Sequence, residues 1–177
     1  MPSPIGHALG GVICALTLGG ERLTHPSAGP LRRLLQDPLV HVAAAAAVLP
    51  DLDFLWGRHN METHSLGAAV LAGLLALLWT RGRGQRFALV VAAAWASHVL
   101  FDWLGSDDTP PLGVMALWPL SPAFQFAHAY VFEAISRRYW LPGFWAHNLL
   151  AVATEVVMLA PVAAACAVWR GRRGPQG

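Results

Sequence analysis

The sequence contains no lysine, so all twelve basic residues are arginine, and only 12% of the chain is charged. Soluble domains carry roughly 25% charged residues, so an ordinary water-coated globule is a poor fit. A nucleic-acid groove needs a continuous basic face. Here the arginines fall in short clusters and the net charge is only +2, which leaves no such groove evident. Cysteine is scarce too. Cys14 and Cys166 both sit inside apolar runs and read as small buried side chains rather than a disulfide or a ligand pair. There is no glycine-rich phosphate loop, internal repeat or heptad pattern, and Ser65 and Ser97 lack the surroundings of a nucleophile elbow. No positive region precedes the first apolar stretch and no convincing cleavage site follows it, so a cleaved signal peptide is not expected.

Apolar residues are abundant, at 55% of 177. They fall into runs: residues 7–19, a short helix from Pro38 through Leu49 capped by Asp37 and ended by Pro50, then 66–80, 87–104 and 144–169. Only the last easily exceeds the roughly 20 residues a simple span needs, and Pro161 is a candidate kink in it. Residues 105–113 read as a turn-rich loop, and 114–140 as an irregular start followed by an interfacial amphipathic helix ending near Arg137-Arg138. A soluble bundle would need polar outer faces, which 66–79 and 87–96 hardly offer. The expectation is an all-α, compact multi-helix integral membrane bundle with several short or tilted helices. It forms one membrane-embedded domain over 1–173, with a polar tail at 174–177. The eight tryptophans suit membrane interfaces, although for Trp79 and Trp95 a core position is equally open.

Against this background the polar residues stand out. Asp51, Asp53, His59 and His64 crowd one short stretch, and His98 and Asp102 interrupt another apolar run. Such groups are costly to bury unless they pair or bind a cation. Four apart on a helix, His98 and Asp102 share a face and can ligate one ion. Asp51 and Asp53 follow a helix-ending proline, where the turning chain projects one carboxylate inward while the other supports it. His64 stands at a helix start, next to two possible caps, Thr63 and Ser65. A protonated imidazole fits poorly at that end; a neutral, metal-bound one fits. For His59 three roles stay open: ligand, proton shuttle, or a residue facing water. Mixed His and carboxylate donors suit Zn²⁺, one ion or two, with Mn²⁺ or Fe²⁺ also compatible. Asp53 is the candidate for orienting a ligating histidine or the attacking water. Glu155, inside the last apolar run, should face the interior and meet a partner, either structurally or as part of the site wall. His128 and His147 read as structural, and Asp107 and Asp108 as solvated.

Pro50-Asp51-Leu52-Asp53, His59, Thr63-His64-Ser65, His98-x-x-x-Asp102 and Trp118-Pro119-Leu120-Ser121, with His7 and a following Gly upstream, resemble the YdjM-type family of membrane-bound metal-dependent hydrolases. The family often has His-Arg-Gly where this chain has His59-Asn60-Met61; Arg58 lies on the other side of the histidine. The order of residue types is more distantly similar to zinc-dependent phospholipase C and the P1-type nucleases. That similarity implies one ion held by Asp51, His64 and His98, a second held with the help of His7, and Asp102 bridging them. The third ion of those enzymes needs a later His-x-x-x-Glu, which is missing: position 151, four beyond His147, is Ala.

Hydrolysis of a phosphoester, in a lipid or another substrate reached from the membrane, is the favoured function. A metal-stabilised scaffold or regulatory binding protein, and a small ion-handling transporter, are the alternatives. The expected location is a prokaryotic cytoplasmic (inner) membrane. If the arginine clusters at 81–86 and 170–173, with Arg22, Arg32 and Arg33, face the cytoplasm, the site lies toward the other side. The oligomeric state is not legible.

Overall fold

A computed structural model describes residues 1–20, 34–107 and 110–172. Arg22, Arg32, Arg33, Asp108 and the 174–177 tail lie outside them. Helix α1 spans Pro4–Leu18, α2 Pro38–Val48, α3 Leu66–Trp79, α4 Gln85–Trp103 and α5 Phe144–Arg172, with a 3-10 helix over Leu49–Trp56. Among the described residues there is no sheet, only isolated bridges pairing Gly105 with Phe132 and Val114 with Gln125.

Local chemistry explains most of the boundaries. Asp37 caps α2 by accepting from Leu39 N, with Pro38 in the first turn, where its missing N–H costs nothing. Ser65 Oγ caps α3 by accepting from Ala68 N. α1 begins three residues before the expected run, because Ser3 Oγ accepts from Gly6 N and Pro4 occupies the first turn. Pro50 ends the α-helical part of the second run as expected, but not the winding. The chain tightens into the 3-10 helix, whose first turn tolerates proline, and stops at Gly57 in the left-handed region.

Residues 123–140 correct an expectation: they form no amphipathic helix. Pro119 and Pro122 break the approach, and the backbone bonds outward instead. Ala127 N donates to Trp103 O, and Val131 N to Leu104 O. The orphan carbonyls at the end of α4 thus find their donors in this segment.

α1 packs against α2, α4 and α5, and α4 also against α2 and α3. The inner contact is small-residue packing: Ala15, Ala43, Ala46, Ala47 and Ala94 with Val40, Val90 and Val91. A Cβ added at Gly11 would lie 2.2 Å from the Ala43 carbonyl oxygen, so α1 and α2 meet nearly backbone to backbone. Large apolar side chains point outward, among them Leu71, Leu75, Leu78 and Trp79 on α3 and Trp145, Leu149 and Val157 on α5. That is the reverse of a soluble bundle and the surface a bilayer solvates. The stretch Pro38–Trp56 and α5 are each long and apolar enough to cross a membrane. Of the two ambiguous tryptophans, Trp79 is exposed on this surface, while half-buried Trp95 donates to Thr63 O at 2.8 Å.

The two ends of the bundle differ. One gathers Arg81, Arg83 and Arg86 around the α3–α4 turn and Arg170 and Arg172 at the end of α5. Arg170 does not join a solvated tail: it is buried, 3.3 Å from Asp37 Oδ2 and 3.3 Å from Ala15 O. There it compensates the α2 cap and a carbonyl near the end of α1.

Gly11→Leu should lower the thermal midpoint in detergent by about 5 °C or more, since overpacking a tight helix contact costs about 1–3 kcal/mol. Gly171→Leu, where an added Cβ meets nothing within 4 Å, should leave the midpoint unchanged.

Candidate metal centre

Opposite the arginine-rich end, the first turn of α1, the 3-10 helix, the start of α3 and the end of α4 meet. They bring His7, Asp51, His64, His98 and Asp102 together. His7, His64, His98 and Asp102 are buried to 2% exposure or less, while the Asp51 side chain is 20% exposed and forms the open side. Asp102 is central. Its Oδ1 lies 3.3 Å from His7 Nε2, and its Oδ2 lies 2.9 Å from His98 Nε2 and 3.4 Å from His64 Nε2. Asp51 Oδ1 is 3.7 Å from His64 Nε2 and 3.8 Å from His98 Nε2. The His7 and His98 rings stack with centroids 3.8 Å apart.

These close approaches are not hydrogen bonds. Nε2 of His7, His64 and His98 and both oxygens of Asp102 are buried without a hydrogen-bond partner. Buried polar atoms are almost always satisfied, so five orphans aimed at one another mark a place for something that accepts lone pairs. Three overlapping sets have ligand atoms within 4.8 Å of one another: His7, Asp51 and His98; Asp51, His59 and His64; and His64, His98 and Asp102. Three carboxylates, those of Asp51, Asp53 and Asp102, lie within 3.0–3.7 Å of the His64 ring nitrogens. The pocket therefore attracts positive charge. With donors of these types and unsatisfied lone pairs, the residues fit a divalent cation.

The rear nitrogens of His98, His64 and His59 are fixed by other groups, whereas Nδ1 of His7 is buried without a hydrogen-bond partner. His98 Nδ1 donates to the Ala47 carbonyl at 2.7 Å, which turns Nε2 and its lone pair toward the centre. Asp53, fully buried, takes His64 Nδ1 at 3.0 Å and Thr63 Oγ1 at 2.6 Å on Oδ2, and His59 Nδ1 at 2.7 Å on Oδ1. Carboxylates and carbonyls behind a ligating histidine set its tautomer and raise its basicity. The Trp118 motif works at a distance: Ala116 O and Trp118 O accept from Leu66 N and Gly67 N, fixing the start of α3 beside His64. A Cβ at Gly67 would lie 2.4 Å from Trp118 O, so glycine is needed there.

Glu155 meets its partner at the far side of α1. Its Oε1 accepts from Ser3 N at 2.7 Å, and Oε2 from Ser3 Oγ. α5 therefore anchors the cap of the helix that carries His7. The sequence offered a signal for this, serine followed by proline at a helix start, that went unread. His147 Nε2 donates to Ala134 O, and His128 is exposed beside Phe126. Neither they nor Glu155 belongs to a potential metal set among the described residues. Asp107 is not simply solvated, since its Oδ2 accepts from Gly113 N.

Fold and site together define an all-α integral membrane protein with a buried His/Asp cluster able to hold a divalent cation. The chain belongs to the YdjM inner membrane protein family, whose model matches residues 1–173. No curated protein and no solved structure matches it.

Protein purified in detergent and supplied with zinc should retain at least one ion per chain by elemental analysis. Asp102→Ala should lose most of it while remaining folded by circular dichroism. A folded wild type that holds no metal after zinc is supplied would remove the assignment.

Proposed function

We propose that this protein is a metal-dependent hydrolase of the membrane, with His7, Asp51, His64, His98 and Asp102 holding one or two ions, zinc foremost, and a phosphoester as substrate. The observation that carries this reading is the set of orphaned ligand atoms around Asp102, opening through Asp51 and His59 to a cavity of about 360 Å³. A closed shell would favour a purely structural ion; partly exposed Asp51 favours an open position. A transporter would need a polar path to the other end, where the structure has the alanine and valine core.

A divalent ion at such a site supplies Lewis acidity, making water nucleophilic near neutral pH and neutralising charge on a phosphoryl oxygen. Asp102 presents its two oxygens to different histidines, so it would hold the metal together with both His7 and His98, in keeping with the phospholipase C and P1-nuclease resemblance. Asp53 keeps His64 and His59 oriented. With His59 Nδ1 held by Asp53, His59 Nε2 is the nitrogen available to exchange a proton with a molecule in the cavity. The rule that arginine-rich ends stay in the cytoplasm puts the site on the non-cytoplasmic side: Arg81, Arg83, Arg86, Arg170 and Arg172 mark the opposite end, against Arg58, Arg137 and Arg138 near the site.

Metal-loaded protein should hydrolyse a phosphomonoester or phosphodiester presented in micelles, and chelation should abolish the activity. Asp51→Asn and His98→Ala should lower turnover by about a hundredfold or more, as expected on losing a group that stabilises transition-state charge. Asp53→Asn should reduce turnover with less loss of metal, and His128→Ala should remain active. Activity on carboxylic esters alone would keep the metal reading and overturn the phosphoester; inactivity of fully metallated protein on every class would favour a binding or scaffold role.

A further inference from the structure

His7 differs from the other candidate ligands in how its ring is held. Behind His64 and His98 a carboxylate and a carbonyl take Nδ1, at 3.0 and 2.7 Å, and such partners orient a ligating imidazole. Behind His7 there is none: Nδ1 as well as Nε2 is buried without a hydrogen-bond partner. Its ring lies against other rings instead, stacked on His98 with centroids 3.8 Å apart and with Phe101 at 6.3 Å. Stacking limits the tilt of a ring but tolerates offset, so it does not set how far His7 reaches. The 3.3 Å from its Nε2 to Asp102 Oδ1 therefore depends on where the His7 backbone stands.

That backbone lies in the first turn of α1, and α5 fixes the turn. His7 N donates to Ser3 O at 3.1 Å, and Gly6 N to Ser3 Oγ at 3.1 Å. Ser3 is gripped in turn by one carboxylate from the far end of the sequence: its N–H donates to Glu155 Oε1 at 2.7 Å and its hydroxyl to Oε2. Both residues are buried. A Cβ at Gly6 would lie 2.5 Å from Glu155 Oε2, which puts the carboxylate against the backbone of the residue before His7. A helix start does not need this. Ser65 caps α3 with its hydroxyl donating to the Glu62 carbonyl, and no carboxylate takes part. An acid inside the longest apolar helix is costly and is more than a cap requires. The carboxylate that Asp53 supplies behind the His64 ring is supplied for His7 one step further back, behind its backbone.

We infer that Glu155 is a positioning residue of the metal centre: through Ser3 it sets how far His7 reaches, and so how strongly His7 holds the ion. This rests on the reading of His7 as a metal ligand in the proposed hydrolase. It makes α5, which contributes no candidate ligand, a determinant of metal affinity.

The test is a double-mutant cycle on zinc affinity, read on the full chain in detergent by competition with a chromophoric chelator. Glu155→Ala should weaken zinc binding about tenfold or more, the scale expected when an outer partner of a ligating histidine is removed, and should weaken it no further in the His7→Ala background. Glu155→Gln, which keeps an acceptor for Ser3 N, should retain most of the affinity. Ser3→Ala, which removes the hydroxyl between Glu155 and Gly6 N, should show the same dependence on His7 and carries the cycle alone if Glu155→Ala does not fold. In cobalt-loaded protein, the visible absorption bands of Glu155→Ala should change as those of His7→Ala do. Equal weakening in both backgrounds reports a general loss of stability and overturns the inference. Unchanged zinc affinity in Glu155→Ala, or zinc binding that His7→Ala leaves intact, overturns it too. His7-dependent weakening in a protein that cleaves no ester keeps the positioning role and overturns hydrolysis instead.

Discussion

Asp102 is a carboxylate buried in the middle of a largely apolar bundle, facing three imidazoles with none of which it makes a hydrogen bond. A charge so placed is tolerable only with a compensating cation nearby. This electrostatic demand accounts for the rest of the local architecture: why three imidazoles crowd together, why one pair stacks, and why the rear nitrogens of His98 and His64 are held by a carbonyl and a carboxylate. The cluster is one able to hold a divalent cation, and its geometry is held by the protein itself.

That geometry depends on how closely the helices approach. His7 and His98 stack because α1 and α4 meet, and α1 also lies almost backbone to backbone on α2 at Gly11 and Ala43. Larger residues at these contacts would separate the ends that deliver His7, Asp51 and Asp102. Two buried charged side chains anchor the packing at opposite ends. Glu155 holds the Ser3 cap of α1 near the site, and buried Arg170 joins Asp37 and Ala15 at the other. Both link α5 to α1, so the longest apolar helix is tied to the frame without contributing a candidate ligand.

Much of this was legible locally. The Asp37-Pro38 and Ser65-Leu66 starts follow from capping chemistry, and the shared face of His98 and Asp102 follows from their spacing of four. The gathering of His7, Asp51, His64 and Asp102 at one end follows from alternating helix direction; their service as ligands is the proposal made above. Long-range hydrogen bonding was not legible. The carbonyls of Trp103 and Leu104 draw residues 127–131 out of the helix their composition allows, and Asn148 and His147 hold Ser136 and Ala134. Arg170 turns inward for a partner more than a hundred residues earlier, which no local pattern announces.

The most direct test is X-ray absorption at the zinc edge of the reconstituted protein. The account predicts a first shell of nitrogen and oxygen only, at about 2.0–2.2 Å, with the outer-shell scattering of several imidazoles, reduced in His98→Ala. A sulfur shell near 2.3 Å, or zinc without imidazole scattering, would place the metal elsewhere and contradict the account.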